Sequence, residues 1–525
     1  MSRILKSRRI LLTGFVLLAA LGGAAQYLRA NFDVTGILLW TVTDFLAVHT
    51  DHYEAGSDEI DAMIQAADAV PGLAPAPRPT RGPLQVDPRN PRYFRDSTGT
   101  TVYLTGSHTW ANFQDNGGSH PPPLFDFEQY LDFLQAHGHN FMRLWVWEGS
   151  RWSVQTRDDD YWFYPESPFV RTGPGLSLDG KPRWDLRQFD EAWFERLRSR
   201  VAAAGERGIY VAVMLFNGWS VAAEIGGLSA RNPWHGHPMN AANNVNGVNG
   251  DRDGDDSGQD VHELGNPEVL EIQQAYLARV VDTLNGLDNV LYEISNESHL
   301  GSAEWQHHLI DWLHEYQAAL PNQHPVGMTI PFPNGDNETL FASNADWISP
   351  NRYRDPPPAD GRKVIIADTD HLWGIGGNRA WVWKCLARGA QPIFMDGYDA
   401  AGYGTGGKAF DWQHPVWASL RINMGHARRY AERMHLASAR PDAEACSTGY
   451  CLVAEGPDGP QYLVYAEASG VVGVDLANVA GELQVEWFNP GNSEAHRGGV
   501  VRGGGWRELA PPFEGDAVLF LYTAD

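Results

Sequence analysis

The chain predicts an α/β fold, a (β/α)8 TIM barrel over residues 84–436, followed by a small C-terminal β-sandwich over residues 437–525. Eight short apolar runs, at 102–106, 141–146, 210–215, 290–294, 326–330, 347–349, 364–367 and 392–395, alternate with amphipathic stretches. That alternation is the mark of repeated βα units around a parallel sheet. The stretches 125–136, 189–205, 268–284, 303–319 and 379–388 carry apolar residues three and four apart, as a helix with one buried face requires. Beyond residue 437 the pattern changes to short strands at 451–454, 461–466, 471–475, 483–488 and 517–522, broken by Gly and Pro.

The segments ahead of the barrel are of another kind. Arg3, Lys6, Arg8 and Arg9 precede an apolar stretch over 10–20 and the small residues Gly22 to Ala25. Residues 1–30 therefore read as a signal peptide or a membrane anchor, and the bulk of the chain is expected to be exported: periplasmic, extracellular or anchored facing outward. Residues 31–83 form an N-terminal segment ending in the Pro- and Ala-rich linker 70–83. A net charge of −25 excludes nucleic acid and an anionic membrane surface as partners, while 20 Trp residues suit a large core and a carbohydrate substrate. Only three cysteines occur. Cys446 and Cys451 flank a turn-like stretch and either pair or stay free, Cys385 sits in an apolar helical run, and no spacing resembles a zinc site.

In a parallel barrel the active face gathers the C-terminal ends of the strands. Those ends hold His108 and Trp110, Arg143 and Trp147-Glu148, Asn217 and Trp219, Asn296-Glu297, Asn351 and Tyr353, Asp368-Thr-Asp370-His371, and Asp396 with Tyr398. A sugar site needs carboxylates for acid–base work, amides for orientation and rings for stacking. Glu297, delivered by the apolar run 289–294, is the first candidate for a catalytic acid, a helix N-cap being the plain alternative. His108, Trp110, Arg143, Trp147, Asn296, Tyr353, Asp368, His371 and Asp396 are candidate substrate contacts. Arg143 reads equally as a structural ion-pair partner and Trp147 as barrel filler.

His139-Asn-Phe-Met-Arg143-Leu-Trp145, Ser295-Asn296-Glu297 and Tyr353 together resemble the large clan of (β/α)8 glycoside hydrolases. Within it the chain looks most like the apiosidase-like proteins whose barrel precedes a "putative collagen-binding" β-domain, here through Tyr462-Leu-Val-Tyr465, Trp487-Phe-Asn-Pro490 and Pro512-Phe-Glu-Gly-Asp516. The resemblance implies Glu297 as general acid/base, Asn296 as a contact to a sugar hydroxyl, and a second carboxylate ending the seventh strand. Most clan members carry Glu there, whereas this chain has Asp368-Thr-Asp370-His371. Alignment to the apiosidase-like pattern puts Asp370 in the catalytic position, and alignment to more distant relatives would choose Asp368. The clan implies retention, with Asp370 as nucleophile. The shorter Asp leaves the spacing open, and it keeps alive a catalytically silent carbohydrate- or matrix-binding protein as the other reading.

The chemistry calls for no cofactor. The stretch Asn249 to Asp260 places oxygen ligands at alternate positions with Gly254 at the sixth. It reads as a solvated acidic loop, with a structural calcium loop as the alternative. In the C-terminal domain Trp506 is expected in the domain's own core, an exposed sugar platform being the alternative, and the domain is expected to pack against the barrel.

Overall fold

A computed structural model describes residues 79–117, 119–153, 161–221, 232–398 and 412–523. The signal or anchor and residues 31–78 of the N-terminal segment, including 70–78 of the linker, lie outside the described residues. No helix among the described residues is long and apolar enough to cross a membrane.

The eight runs form one parallel sheet: β1 (Gly106–His108), β2 (Phe141–Leu144), β3 (Tyr210–Asn217), β4 (Val290–Asn296), β5 (Val326–Thr329), β6 (Trp347–Ser349), β7 (Val364–Asp368) and β8 (Gln391–Met395). Neighbours along the sheet run β1-β8-β7-β6-β5-β4-β3-β2. The remaining seam, between β1 and β2, is bridged by Asn140: its N–H donates to the Thr105 carbonyl and its side-chain Oδ1 accepts from the Thr105 N–H, both at 3.0 Å. Strands buried on both faces read as continuous apolar runs, which is why they were visible in the sequence. The first run was displaced. Thr101–Val102 pairs in a small antiparallel sheet outside the barrel, and β1 starts at Gly106, where a Cβ would lie 1.9 Å from the Phe141 carbonyl oxygen.

The expected helices form as α1 (Phe127–Ala136), α2 (Glu191–Glu206), α3 (Pro267–Leu284), α4 (Ala303–Ala318) and α6 (Arg379–Ala387). Side chains cap several N-termini; Asp190, for example, accepts from the Ala192 N–H. Two helices were not anticipated, the short α5 (Asn337–Ala342) and the long α7 (Pro415–Arg433) that follows β8.

The C-terminal region has a six-stranded antiparallel sheet from β9 (Arg440–Pro441), β10 (Cys451–Gly456), β11 (Gly459–Ala466), β13 (Glu482–Asn489), β14 (Glu494–Arg502) and β16 (Ala517–Tyr522). Strands β12 (Val472–Asp475) and β15 (Trp506–Leu509) pair as a second sheet. Alternation divides the larger sheet's side chains. Val464, Leu483, Val485 and Leu519 share a core with Val472 and Val474 of the second sheet. Leu463, Tyr465, Phe488, Val518 and Phe520 join the core that surrounds the barrel. Polar contacts reinforce that docking: Arg433 of α7 pairs with Glu486 at 2.6 Å and Arg379 of α6 with Asp516 at 2.9 Å. The three cysteines are buried and unbridged. Trp506 corrects its expected place in the core. It is 48% exposed and lies over Gly473, where a Cβ would meet the indole at 2.2 Å.

Candidate active site

Arg143 organises the mouth of the barrel. It projects inward from β2, is almost fully buried, and faces three carboxylates. Its Nε and Nη2 donate to both oxygens of Glu293, at 2.8 and 2.5 Å, and Nη2 also donates to Asn296 Oδ1 at 2.9 Å. Nη1 donates to Asp368 at 2.7 Å and more loosely to Asp370 at 3.2 Å. Glu293 was not among the sequence candidates. Its signal was available, as a charged residue inside an apolar strand run at the inward position two after Leu291.

The two aspartates differ in kind. Asp368 also accepts from His108 Nε2 at 3.0 Å, and His108 Nδ1 accepts from Trp145 Nε1 at 2.7 Å, so the ring proton sits on Nε2. Burial works against its ionisation, but His108 and Arg143 hold the Asp368 carboxyl well below the usual carboxylate range. Asp370 follows on a single 3-10 turn whose N–H bonds to Asp368 Oδ1 at 2.9 Å. Burial and the Asp368 charge push its carboxyl up to about 6, with Arg143 pulling the other way.

Glu297 stands just beyond β4 with φ +45°. A left-handed backbone at a non-Gly residue costs ~1–3 kcal/mol and persists only where the surroundings impose it. Gly218 lies against it so closely that a Cβ would sit 2.2 Å from the Glu297 carbonyl oxygen. Trp219, next in the chain, donates its Nε1–H to Glu297 Oε2 at 2.7 Å. Burial first and the Asp370 charge second push the Glu297 carboxyl well above the ordinary range. His371 completes the cluster, with Nε2 on Asn296 Oδ1 at 3.2 Å and Nδ1 on Ser349 Oγ at 2.9 Å. Burial, with Arg143 nearby, lowers its ring to about 3, so it is neutral. Asn296 thus spends its oxygen on the protein, while its buried Nδ2 donor meets no acceptor among the described residues. A protonated carboxyl, an ionised carboxylate beside it and a spare amide donor are what acid–base and nucleophilic work on a sugar requires.

Other candidates lie apart. Tyr353 is buried in the outer core with Trp381 and Cys385, and the Trp381 Nε1–H bonds to its carbonyl at 3.0 Å. The left-handed turn at Arg352 (φ +61°) precedes it, and burial pushes its hydroxyl up to about 12. Asp396 accepts from Nε and Nη2 of Arg421 from α7, at 2.7 and 2.5 Å, which makes it a structural ion pair. Trp147 is 2% exposed and stacks on Tyr164 at 4.7 Å, so it is filler within an aromatic cluster. The partly exposed Trp110 meets that cluster edge-on, 5.5 Å from Trp152.

The acidic loop folds back on itself. Asp251, Asp253 and Asp260 bring carboxylate oxygens within 4.8 Å of one another. Yet Asp260 Oδ2 accepts from the Arg252 and Asp253 N–H groups, and Asn249 Oδ1 from the Asp251 N–H. These bonds close the turn by themselves.

A family model described as a domain of unknown function (DUF6298) matches residues 145–331, a span that holds Glu293, Asn296 and Glu297. No curated protein matches. Among solved structures the chain is similar to one described as a glycoside hydrolase, at 13% identity and TM-score 0.53, over 84% of this chain and 97% of the other. A family 5 glycoside hydrolase from Bacteroides vulgatus matches at 13% identity and TM-score 0.52, over 84% and 93%. A putative glycoside hydrolase from the same organism matches at 15% and 0.56, over 86% and 84%. At such identities the likeness establishes the fold.

Proposed function

We propose that this chain is an exported glycoside hydrolase that cleaves O-glycosidic bonds of a polysaccharide or glycan. The observation that carries the reading is the unequal carboxylate pair: Glu297, held protonated by burial and by Asp370, next to Asp370, which titrates near 6 on Arg143. The glycoside hydrolase names of the structural neighbours and the apiosidase-like motifs support it from two other directions. In the proposed cycle Asp370 attacks the anomeric carbon while Glu297 gives its proton to the departing oxygen. Glu297, now ionised, then takes a proton from water, which attacks the same carbon, frees Asp370 and leaves the sugar with retained configuration. Asn296 Nδ2 donates to the substrate, and Asp368 keeps Arg143 in place.

Export rests on the basic-then-apolar start of the chain. The two antiparallel sheets around one apolar core support a β-sandwich whose role is to brace α6 and α7. Release of reducing sugar from a glycan panel by the purified protein, lost in Glu297→Gln, is the test. Binding without release would favour the silent carbohydrate-binding reading. A reporter fused after Asp525 should be active only in an oxidising or external compartment. The calcium alternative for loop 249–260 predicts a melting temperature that rises with added calcium.

A further inference from the structure

A second buried polar cluster lies behind the carboxylate pair, centred on Glu148 just past β2. Its Oε1 accepts from the Asn217 N–H at 2.8 Å and from His262 Nε2 at 3.2 Å, and its Oε2 accepts from His237 Nε2 at 3.2 Å. Burial opposes a charge here, yet His262 and His237 hold its carboxyl down at about 2, so the acceptor is ionised. His237 goes no further, because its Nδ1 accepts from the Met239 N–H at 3.1 Å. The other two contacts each lead on toward Glu297.

Along one arm, Asn217 Oδ1 accepts from the Trp219 N–H at 3.1 Å, and the Trp219 indole donates to Glu297 Oε2 at 2.7 Å. The Glu148 N–H ties down the same turn through Ser220 Oγ at 3.1 Å. Along the other arm, His262 Nδ1 meets Ser298 Oγ at 3.1 Å, and Ser298 Oγ meets Ser295 Oγ at 2.6 Å. Trp305 stacks on the His262 ring at 4.7 Å and fixes its plane. One carboxylate thus grips the side chain of Glu297 through Trp219 and its backbone through Ser298. Glu297 is the residue that needs such a grip, since its left-handed φ has to be imposed by what surrounds it.

We infer that Glu148 is a positioning residue for the proton donor, acting through the Asn217–Trp219 and His262–Ser298 arms. It touches neither Arg143 nor Asp370, so it leaves the nucleophile alone. The inference rests on Glu297 being the acid/base. Its signature is therefore a loss confined to the step that needs proton donation. For Glu148→Gln, kcat/KM should fall roughly 10-fold or more on a glycoside with a poor leaving group, a small part of the range for a lost proton donor. On an aryl glycoside whose phenolate leaves unaided, kcat/KM should stay within about twofold. Ser298→Ala, which removes one hydroxyl and carries the test should the first variant not fold, should show the same split at smaller size. Equal losses on both substrates, or none on either, overturn the inference. Glu297→Gln measured alongside separates the two claims: a split in that variant with none in Glu148→Gln overturns only the positioning role, and no split in either overturns the functional reading as well.

Discussion

Two places in this barrel bury an arginine against carboxylate, and they balance their charges differently. At the end of β8, Asp396 and Arg421 form a closed bidentate pair with one charge of each sign. Among β2, β4 and β7, Arg143 is shared by Glu293 within its strand and Asp368 and Asp370 at the end of theirs, with Glu297 beyond its direct reach. Burial first, and then an excess of negative charge that one cation cannot neutralise, raise the carboxyls of Glu297 and, to a lesser extent, Asp370. A strand-end position makes a residue a candidate. Uncompensated charge makes it reactive.

The comparison breaks most sharply at Asp370. Asp370→Gly should leave a folded protein whose turnover is down beyond the upper end, about 10⁴-fold, of what a missing proton donor costs, as read on any substrate the wild type cleaves. Glu297→Gln should lose roughly 10²–10⁴-fold on poor leaving groups, again without loss of fold by circular dichroism. The closed pair should answer differently. Asp396→Asn strands Arg421 in the core and should cost ~3–5 kcal/mol in denaturant unfolding, while kcat/KM of the folded fraction stays near wild type. A large activity loss with unchanged stability there would return Asp396 to the site.

The pH dependence sharpens the same contrast. The proposed cycle needs Asp370 ionised and Glu297 protonated, so kcat/KM should rise with pH through about 6, where Asp370 gives up its proton, and fall again at higher pH as Glu297 ionises. The two limbs belong to the coupled pair. A profile flat from pH 5 to 7 would contradict the charge argument. The smallest effect is expected in the C-terminal domain: Trp506→Ala removes an exposed ring and should change turnover on small substrates by less than twofold.

Much of this was legible in the residues, for reasons that also explain what was not. Seven strands announced themselves because burial on both faces demands unbroken apolar runs. β1 did not, because Gly106-Ser-His108 serves close approach and hydrogen bonding at the seam. Helix α7 escaped notice because it is buried nearly all round and keeps Arg421, Asn423 and His426 inside, which erases the one-faced pattern. Glu297 could be proposed from its strand end, and Asp370 over Asp368 only through the apiosidase-like resemblance, while Glu293 was hidden by expecting function only at the ends. The grouping of Glu148 with His262 spans 114 residues, and no linear spacing predicts it. Tyr353 and Trp147 show the converse, aromatic rings beyond strand ends that the core claims.

Asp370 as nucleophile and Glu297 as proton donor stand or fall on rescue by azide. In Asp370→Gly the vacated space admits a small anion, so added azide should restore turnover of an activated substrate and give a glycosyl azide of inverted anomeric configuration, read by proton NMR. Asp368→Asn should show no such rescue. Rescue of an Asp368→Gly variant in its place would move the nucleophile two residues along the chain. No rescue of either, with wild-type product of inverted configuration, would contradict double displacement and leave Asp370 as the base of a single displacement.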